Sequence, residues 1–439
     1  MHFTIHDWRK EMRIILILLT MLSVISGMVP IYCQEKSNLT DSVAITIQKG
    51  RSHYSDGQYL KTIQILHANG LDTIEARASS LMGLSYSAIN DYGNAFYYLK
   101  RACILDSNNV SYRFQLGTFS SQCGLIGDAE REYKQITILD STFLPAFVRL
   151  GIIYNDQKLY QQAQSYFTYV VNKNPRDYLS LYYLGTLSFG LGQKDTAMYF
   201  LNNCIQLNNG FVPAIDVLAS FLYSKKDYRN ALQLYQKAFQ LRPTNADFIF
   251  KVGLCNRQLK EYDQAIACFS KAISIDTSNA SYLAQLGYCH FYKERYDSSI
   301  YYDLKAISYE NENYQYYTNL ALSYQKIDST DKLVDIYNQM IAFHDPDEIA
   351  NLYTRIASAY SSKGRNSKAI NAYKSALAIK PSNPLALFFL GSLSQQSGNS
   401  SGARWAYEEY LQVTASDSSQ NATRRYVKSV LKELKNKSK

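Results

Sequence analysis

A small residue returns along this chain at a nearly constant interval, and that interval dictates what the chain can fold into. Glycine or alanine stands at Gly50, Gly83, Gly117, Gly151, Gly185, Ala219, Gly253, Gly287, Ala321, Ala357 and Gly391. The steps are 33, then 34 seven times, then 36, then 34. A unit of that length cannot bury a core alone. It becomes stable only by stacking on its neighbours, so the period predicts a repeat array and not two or three globular domains.

The unit reads most clearly at 246–279, ADFIFKVGLCNRQLKEYDQAIACFSKAISIDTSN. Phe248, Ile249, Val252, Gly253 and Cys255 make one helical stripe, and Ala265, Ile266, Phe269, Ala272 and Ile273 make a second. Leu259–Tyr262 separates them as a tight turn. Each copy is therefore an antiparallel helix pair. Gly253 and Ala265 are small where the helices must approach, and Tyr262 and Phe269 are large where the gap needs filling. The Phe269 position is Leu, Tyr or Phe in every other copy except for Asp303.

A 34-residue helix–turn–helix period with small, aromatic and small residues at these offsets resembles the tetratricopeptide repeat (TPR). The early Trp of that family is absent, with Phe147, Leu181, Ile249 and Tyr317 in its place, and the terminal Pro survives at Pro175, Pro243 and Pro381. The resemblance implies an all-α fold: a right-handed α-solenoid of about eleven repeats over 43–417, closed by a C-terminal capping helix within 418–439. It further implies that the first helix of each repeat lines a concave groove. The groove positions carry over to Tyr182, Thr186, Phe189, Asp216, Ser220, Tyr223, Phe250, Arg257, Tyr288, Phe291 and Tyr292. Aromatic rings dominate that set, and they give large contact area at low entropy cost. The competing reading is that several of these rings pack on neighbouring helices. The Lys/Asn clamp that some relatives close on a peptide carboxylate is missing, because Ile47, Arg51, Ser80, Leu84, Phe114 and Thr118 stand at the matching places.

The ends differ from the body. Arg9, Lys10 and Arg13 precede an apolar run, Ile14–Val29, which Pro30 ends. That pattern predicts a secretory signal over 1–33, cleaved after Cys33, with an uncleaved anchor as the alternative. Residues 34–42 are expected to be a polar linker. The formal net charge is +9, of which +6 falls within 424–439, so the body is close to neutral and does not resemble a nucleic-acid-binding surface. Val427, Val430, Leu431 and Leu434 give the terminal segment an apolar stripe. It reads as a cap on the last repeat or as a basic amphipathic helix for an anionic membrane. The ninth copy is degraded, with Leu333 in place of a small residue, and the two extra residues near His344–Glu348 predict a bend or loose joint.

Catalytic and metal-binding patterns are missing. After residue 33 the histidines are His53, His67, His290 and His344, and they form no ligand spacing. Cys289 and His290 are consecutive, so on a helix they point about 100° apart and cannot act as a nucleophile pair. The six later cysteines are expected to be free, buried thiols, with Cys255–Cys268 the one pair worth testing for a disulfide. Asn38, Asn109, Asn279, Asn399, Asn421 and Asn436 open N-x-S/T triplets. The expectation is a non-enzymatic scaffold without metal or cofactor, exported to the periplasm or envelope, that binds a protein or peptide in the groove. No nucleic acid or small-molecule substrate is expected. A second reading tethers it to a membrane through the N-terminal run and the basic helix.

Overall fold

A computed structural model describes residues 29–437 of the chain. Among these residues the fold is a succession of helix pairs. The chain divides into two compact units at Asn209 and Gly210. The first unit holds α1 (Val29–Ser55) with α2 (Tyr59–Ala68), α3 (Ala76–Ala88) with α4 (Tyr92–Leu105), α5 (Val110–Gln122) with α6 (Ile126–Leu139), α7 (Leu144–Asp156) with α8 (Tyr160–Lys173), and α9 (Tyr178–Gly190) with α10 (Lys194–Leu207). The second holds α11 (Val212–Ser224) with α12 (Tyr228–Leu241), α13 (Ala246–Gln258) with α14 (Tyr262–Ile275), α15 (Ala280–Tyr292) with α16 (Tyr296–Tyr309), α17 (Tyr314–Lys326) with α18 (Thr330–Met340), α19 (Pro346–Ser362) with α20 (Asn366–Ile379), α21 (Pro384–Gln396) with α22 (Ser400–Val413), and a last helix α23 (Asn421–Lys437). The eleven pairs are the eleven copies of the period, and the chain is an α-solenoid.

The small residue of each copy sits where the period demands. A Cβ on Gly253 would lie 2.5 Å from Cε1 of Phe269. The same construction puts one on Gly151 2.7 Å from Phe167, and one on Gly391 2.7 Å from Tyr407. Each glycine thus receives a ring from the second helix of its own copy. Phe269, Phe167 and Tyr407 are fully buried, and truncating such a ring to alanine costs about 3–5 kcal/mol.

One residue per copy closes the turn with positive φ. Asn90, Lys158, Lys226, Lys260, Glu294 and Asp328 lie at φ from 59° to 64°, and Gly57, Gly124, Gly192, Gly364 and Gly398 fill the same place in the other copies. In copy seven Glu261 N–H donates to Asn256 O at 2.8 Å and Lys260 N–H to Arg257 O at 3.0 Å, which satisfies the last carbonyls of α13. Asparagine caps explain several of the N-x-S/T triplets. Asn109 Oδ1 accepts from the Ser111 and Tyr112 amides at 3.1 and 3.3 Å, and Asn279 repeats this with Ser281 and Tyr282 at 3.1 and 3.4 Å.

Several expectations change. Residues 34–42 lie within helix α1 and do not form a separate linker. The basic flank and most of the apolar run lie at 1–28, outside the described residues. In the ninth copy α18 has 11 residues and ends in a 3-10 turn, Ile341–Phe343, while α19 lengthens to 17. That joint is packed and not loose: Val334, Ile336, Tyr337 and Met340 share one buried core with Leu352 and Ile356. The same core reaches Val427, Val430, Leu431 and Leu434 of α23, which therefore covers the last repeat with its apolar face. The six cysteines after Cys33 are free, but Cys123 is exposed and Cys268 half-buried, against the expectation that all are buried. Among the described residues no helix is long and apolar enough to cross a membrane.

Candidate protein-binding face

The first helices of the second unit present side chains that touch from copy to copy. Gln258 Nε2 of α13 donates to the Tyr223 hydroxyl of α11 at 3.2 Å. On the other side, the Arg257 guanidinium lies over the Tyr288 ring of α15, with Cζ 5.0 Å from its centroid. Tyr288 packs on Tyr292 at 4.6 Å between centroids, and Tyr292 stacks on Tyr262 at 5.3 Å. Helical geometry produces this contiguity. Residues one period apart occupy the same place on successive first helices, so side chains near those places, such as Tyr223 and Gln258 or Arg257 and Tyr288, come within reach of one another.

These side chains stay open to solvent. Tyr292 is 49% exposed, and Tyr223, Arg257, Tyr288 and Phe291 are half-buried. Burial, and after it the neighbouring Tyr292 hydroxyl, push the Tyr288 hydroxyl up from its ordinary range. It stays protonated and able to donate a hydrogen bond. Among the described residues Arg257 Nε is buried with no hydrogen-bond partner, and no carboxylate pairs with the guanidinium.

The expected site residues divide by environment. Phe250 lies 4.5 Å from Tyr282 and 5.5 Å from Phe269 between ring centroids, so it is engaged in packing between copies. Phe291 meets Tyr292 and Tyr296 edge-on at 5.5 and 5.6 Å. Asp216 is held by Lys251 Nζ at 2.9 Å, and the same ammonium reaches Asp247 at 2.9 Å. Ser220 Oγ lies 2.9 Å from the Tyr235 hydroxyl. In the first unit Tyr182 and Thr186 line an open cleft of about 440 Å³ with Asn155, Tyr160, Tyr183 and Leu191. Phe189 belongs to the same helix and is 42% exposed.

Gln258, Tyr228 and Tyr262 were not expected at the site. Tyr228 meets Tyr223 edge-on at 5.2 Å. Gln258 stands one residue past a carried-over position, and widening each position by one residue would have found it. Tyr262 reads as a turn residue because it opens α14. Its ring nevertheless reaches the face.

Cys289 and His290 do not form an activated pair. Burial pushes the Cys289 thiol up to about 12, and it lowers the affinity of His290 for a proton, so this neighbouring pair holds no thiolate at neutral pH. Among the described residues no group of three or more His, Cys, Asp or Glu side chains could hold a metal ion.

Family comparisons agree with the geometry. A family model described as "Tetratricopeptide repeat" matches residues 222–297, and one described as "TPR repeat" matches residues 357–398. The TPR repeat-containing protein YpiA of Bacillus subtilis is 21% identical over 46% of this chain and 49% of its own length. The BBSome complex member BBS4 of Bos taurus is 25% identical over 37% of this chain and 32% of its own. The chain thus spans about half, and about a third, of these two relatives. Among solved structures, the C-terminal part of a TPR repeat-containing protein from Cytophaga hutchinsonii is 20% identical, with a TM-score of 0.49 over 55% of this chain and 98% of that one. YrrB, described as a TPR protein with an unusual peptide-binding site, is also 20% identical, with a TM-score of 0.36 over 41% of this chain and 92% of that one. With its period and its helix pairs, the matches over residues 222–297 and 357–398 support a tetratricopeptide repeat protein.

Proposed function

We propose that this protein is a non-enzymatic scaffold of the cell envelope that binds a protein or peptide partner along the first-helix face of its repeats. The observation that carries the reading is the row from Tyr223 through Gln258, Arg257 and Tyr288 to Tyr292, in which side chains of three successive copies meet while remaining open to solvent. Large rings that are already packed on one another lose little entropy when a partner covers them. Proteins of this family are in general non-catalytic scaffolds, in keeping with the buried, protonated Cys289.

Export is inferred from Arg9, Lys10 and Arg13 followed by the apolar run Ile14–Val29. Photo-crosslinking in cells tests both parts. A crosslinker at Tyr292 is expected to trap a partner from an envelope fraction. One at Tyr301, 59% exposed on α16, is expected to trap none. With the trapped partner purified, Tyr288→Ala with Tyr292→Ala is expected to weaken binding by about 2 kcal/mol or more, roughly thirtyfold. Unchanged affinity rejects the face.

A second reading, tethering to a membrane surface, is favoured by α23. Its apolar side is buried, while Arg425, Lys428 and Lys432 line up exposed at helical spacing. A protein released from membranes by high salt but not by buffer alone supports that reading. One that stays through salt and leaves only with detergent supports an uncleaved anchor.

A further inference from the structure

The charges on the first-helix face of the second unit are unevenly matched. Lys251 Nζ lies 2.9 Å from both Asp216 and Asp247, and Lys293 Nζ lies 2.9 Å from Asp263. These ammonium groups have carboxylate partners from within the protein. Arg257 does not. Its guanidinium rests on the Tyr288 ring, its Nε is buried and unbonded, and no acid among the described residues pairs with it.

A guanidinium carries its charge throughout the physiological range and presents donors in a fixed fork that fits a carboxylate bidentately. Stacking on a ring fixes the plane of that fork before any ligand arrives. Partial burial without a counter-charge is unfavourable, and an incoming anion removes that penalty.

Three further observations narrow the anion. A single guanidinium balances a carboxylate, whereas a phosphate at neutral pH carries close to two charges. The cation sits on the middle of a run of first helices, with Gln258 and Tyr223 on one side and Phe291 and Tyr296 on the other. A ligand chain therefore continues in both directions past Arg257, which favours a side-chain carboxylate over a chain terminus. The flanking rings favour aromatic or aliphatic neighbours beside the acid.

We propose that Arg257, stacked on Tyr288, is the anchor for an Asp or Glu side chain within an extended peptide segment of the partner, whose neighbouring apolar residues cover Tyr292 and Tyr262. This rests on the reading of the face as a binding surface and adds the chemistry of what it selects.

The test uses the purified full chain and a library of random decapeptides, acetylated and amidated so that both termini are neutral. The intact protein is expected to select peptides enriched in Asp or Glu next to aromatic or aliphatic residues. Changing the selected acid to its amide is expected to lower affinity about tenfold or more. In Arg257→Gln the same change is expected to matter less than twofold. Arg257→Lys, which keeps the charge, is expected to retain a preference for acid and serves as the folding control. Equal loss in the intact protein and in Arg257→Gln overturns the anchor. So does selection of peptides without acids, or binding that appears only with a free terminal carboxylate or a phosphoserine. If the intact protein selects no peptide at all, the binding face itself is rejected, and the anchor with it.

Discussion

Two acids buried on second helices of this molecule, one position apart in the repeat, have opposite consequences. Glu132, on α6 of the first unit, accepts from Arg113 Nη1 at 2.7 Å, and the same guanidinium donates from Nε to Ser107 O at 2.8 Å. Asp303, on α16 of the second, stands where other copies put a ring or a leucine. Its Oδ2 accepts from Ser299 Oγ at 3.3 Å, Ser299 accepts in turn from Ser323 Oγ at 3.0 Å, and Oδ1 has no partner. Burial pushes the Asp303 carboxyl from its ordinary 3.8 up to about 8. A buried charge with a geometric partner locks two helices together. A buried acid without one is a weak place in the same architecture.

The contrast can be broken most forcefully at the satisfied acid. Arg113→Ala leaves Glu132 with only the longer ion pair to Arg131 Nε at 3.7 Å, and it is expected to lower stability by about 3 kcal/mol, read as an earlier denaturant midpoint. A loss below about 1 kcal/mol would show that the pair contributes little, and the contrast would fail. Next is the opposite sign. In copies two and five Gly83 and Gly185 already sit against Leu99 and Leu201, with a constructed Cβ 2.7 Å from each leucine. Asp303→Leu is therefore expected to fit beneath Gly287 and to raise stability at pH 7.5 by about 2 kcal/mol. That gain must depend on pH. Folding holds a proton on Asp303 that the unfolded chain gives up above about pH 4, so the wild type loses stability as pH rises from about 4 to about 8. The advantage of Asp303→Leu should widen across that window and level off above it. A constant advantage would mean that shape, not ionisation, is responsible. The smallest effect sharpens the comparison by setting its floor. Lys260 is exposed at φ 63°, and Lys260→Gly is expected to add about 0.5 kcal/mol by relieving the backbone alone.

The helix pairs were legible because their cause is periodic. Gly253, Ala265 and Phe269 recur at fixed offsets, and steric fit leaves little choice about how such residues meet. Asp303 was equally visible as the exception in its column. What the chain does with that exception was not, since the Ser299 hydroxyl that donates to it is itself bonded by Ser323 of the next copy. Arg113 and Glu132 look like ordinary surface charges, and only the packing of α5 on α6 buries them together. The left-handed turn residue shows itself where it is glycine, as at Gly124 and Gly192. Lysine at 158, 226 and 260 gives no such signal, because its side chain has no preference for that conformation.

The candidate face was partly legible. The period places Tyr223, Arg257 and Tyr288 on equivalent sides of their helices. It cannot separate Phe250, which turns between Phe269 and Tyr282, from Tyr288, which carries the guanidinium. That difference depends on rotamers and on the size of the next copy's side chains, which are not periodic here. The terminal basic segment needed the structure for a similar reason. Its apolar stripe fits a membrane and a last repeat equally well until the buried partners are seen.

The recurring turn has a consequence for how such a chain changes length. Every first helix ends in the same left-handed residue, followed two positions later by the start of the second helix, as at Lys260 and Tyr262 or Glu294 and Tyr296. A cut at any one of these turns rejoins to another with the same backbone geometry on both sides. Gain or loss of a whole 34-residue block, such as 262–295, therefore splices without a new junction having to be invented. The turn works as a standard coupling, and the molecule's reach can be edited in whole copies while its ends stay fixed.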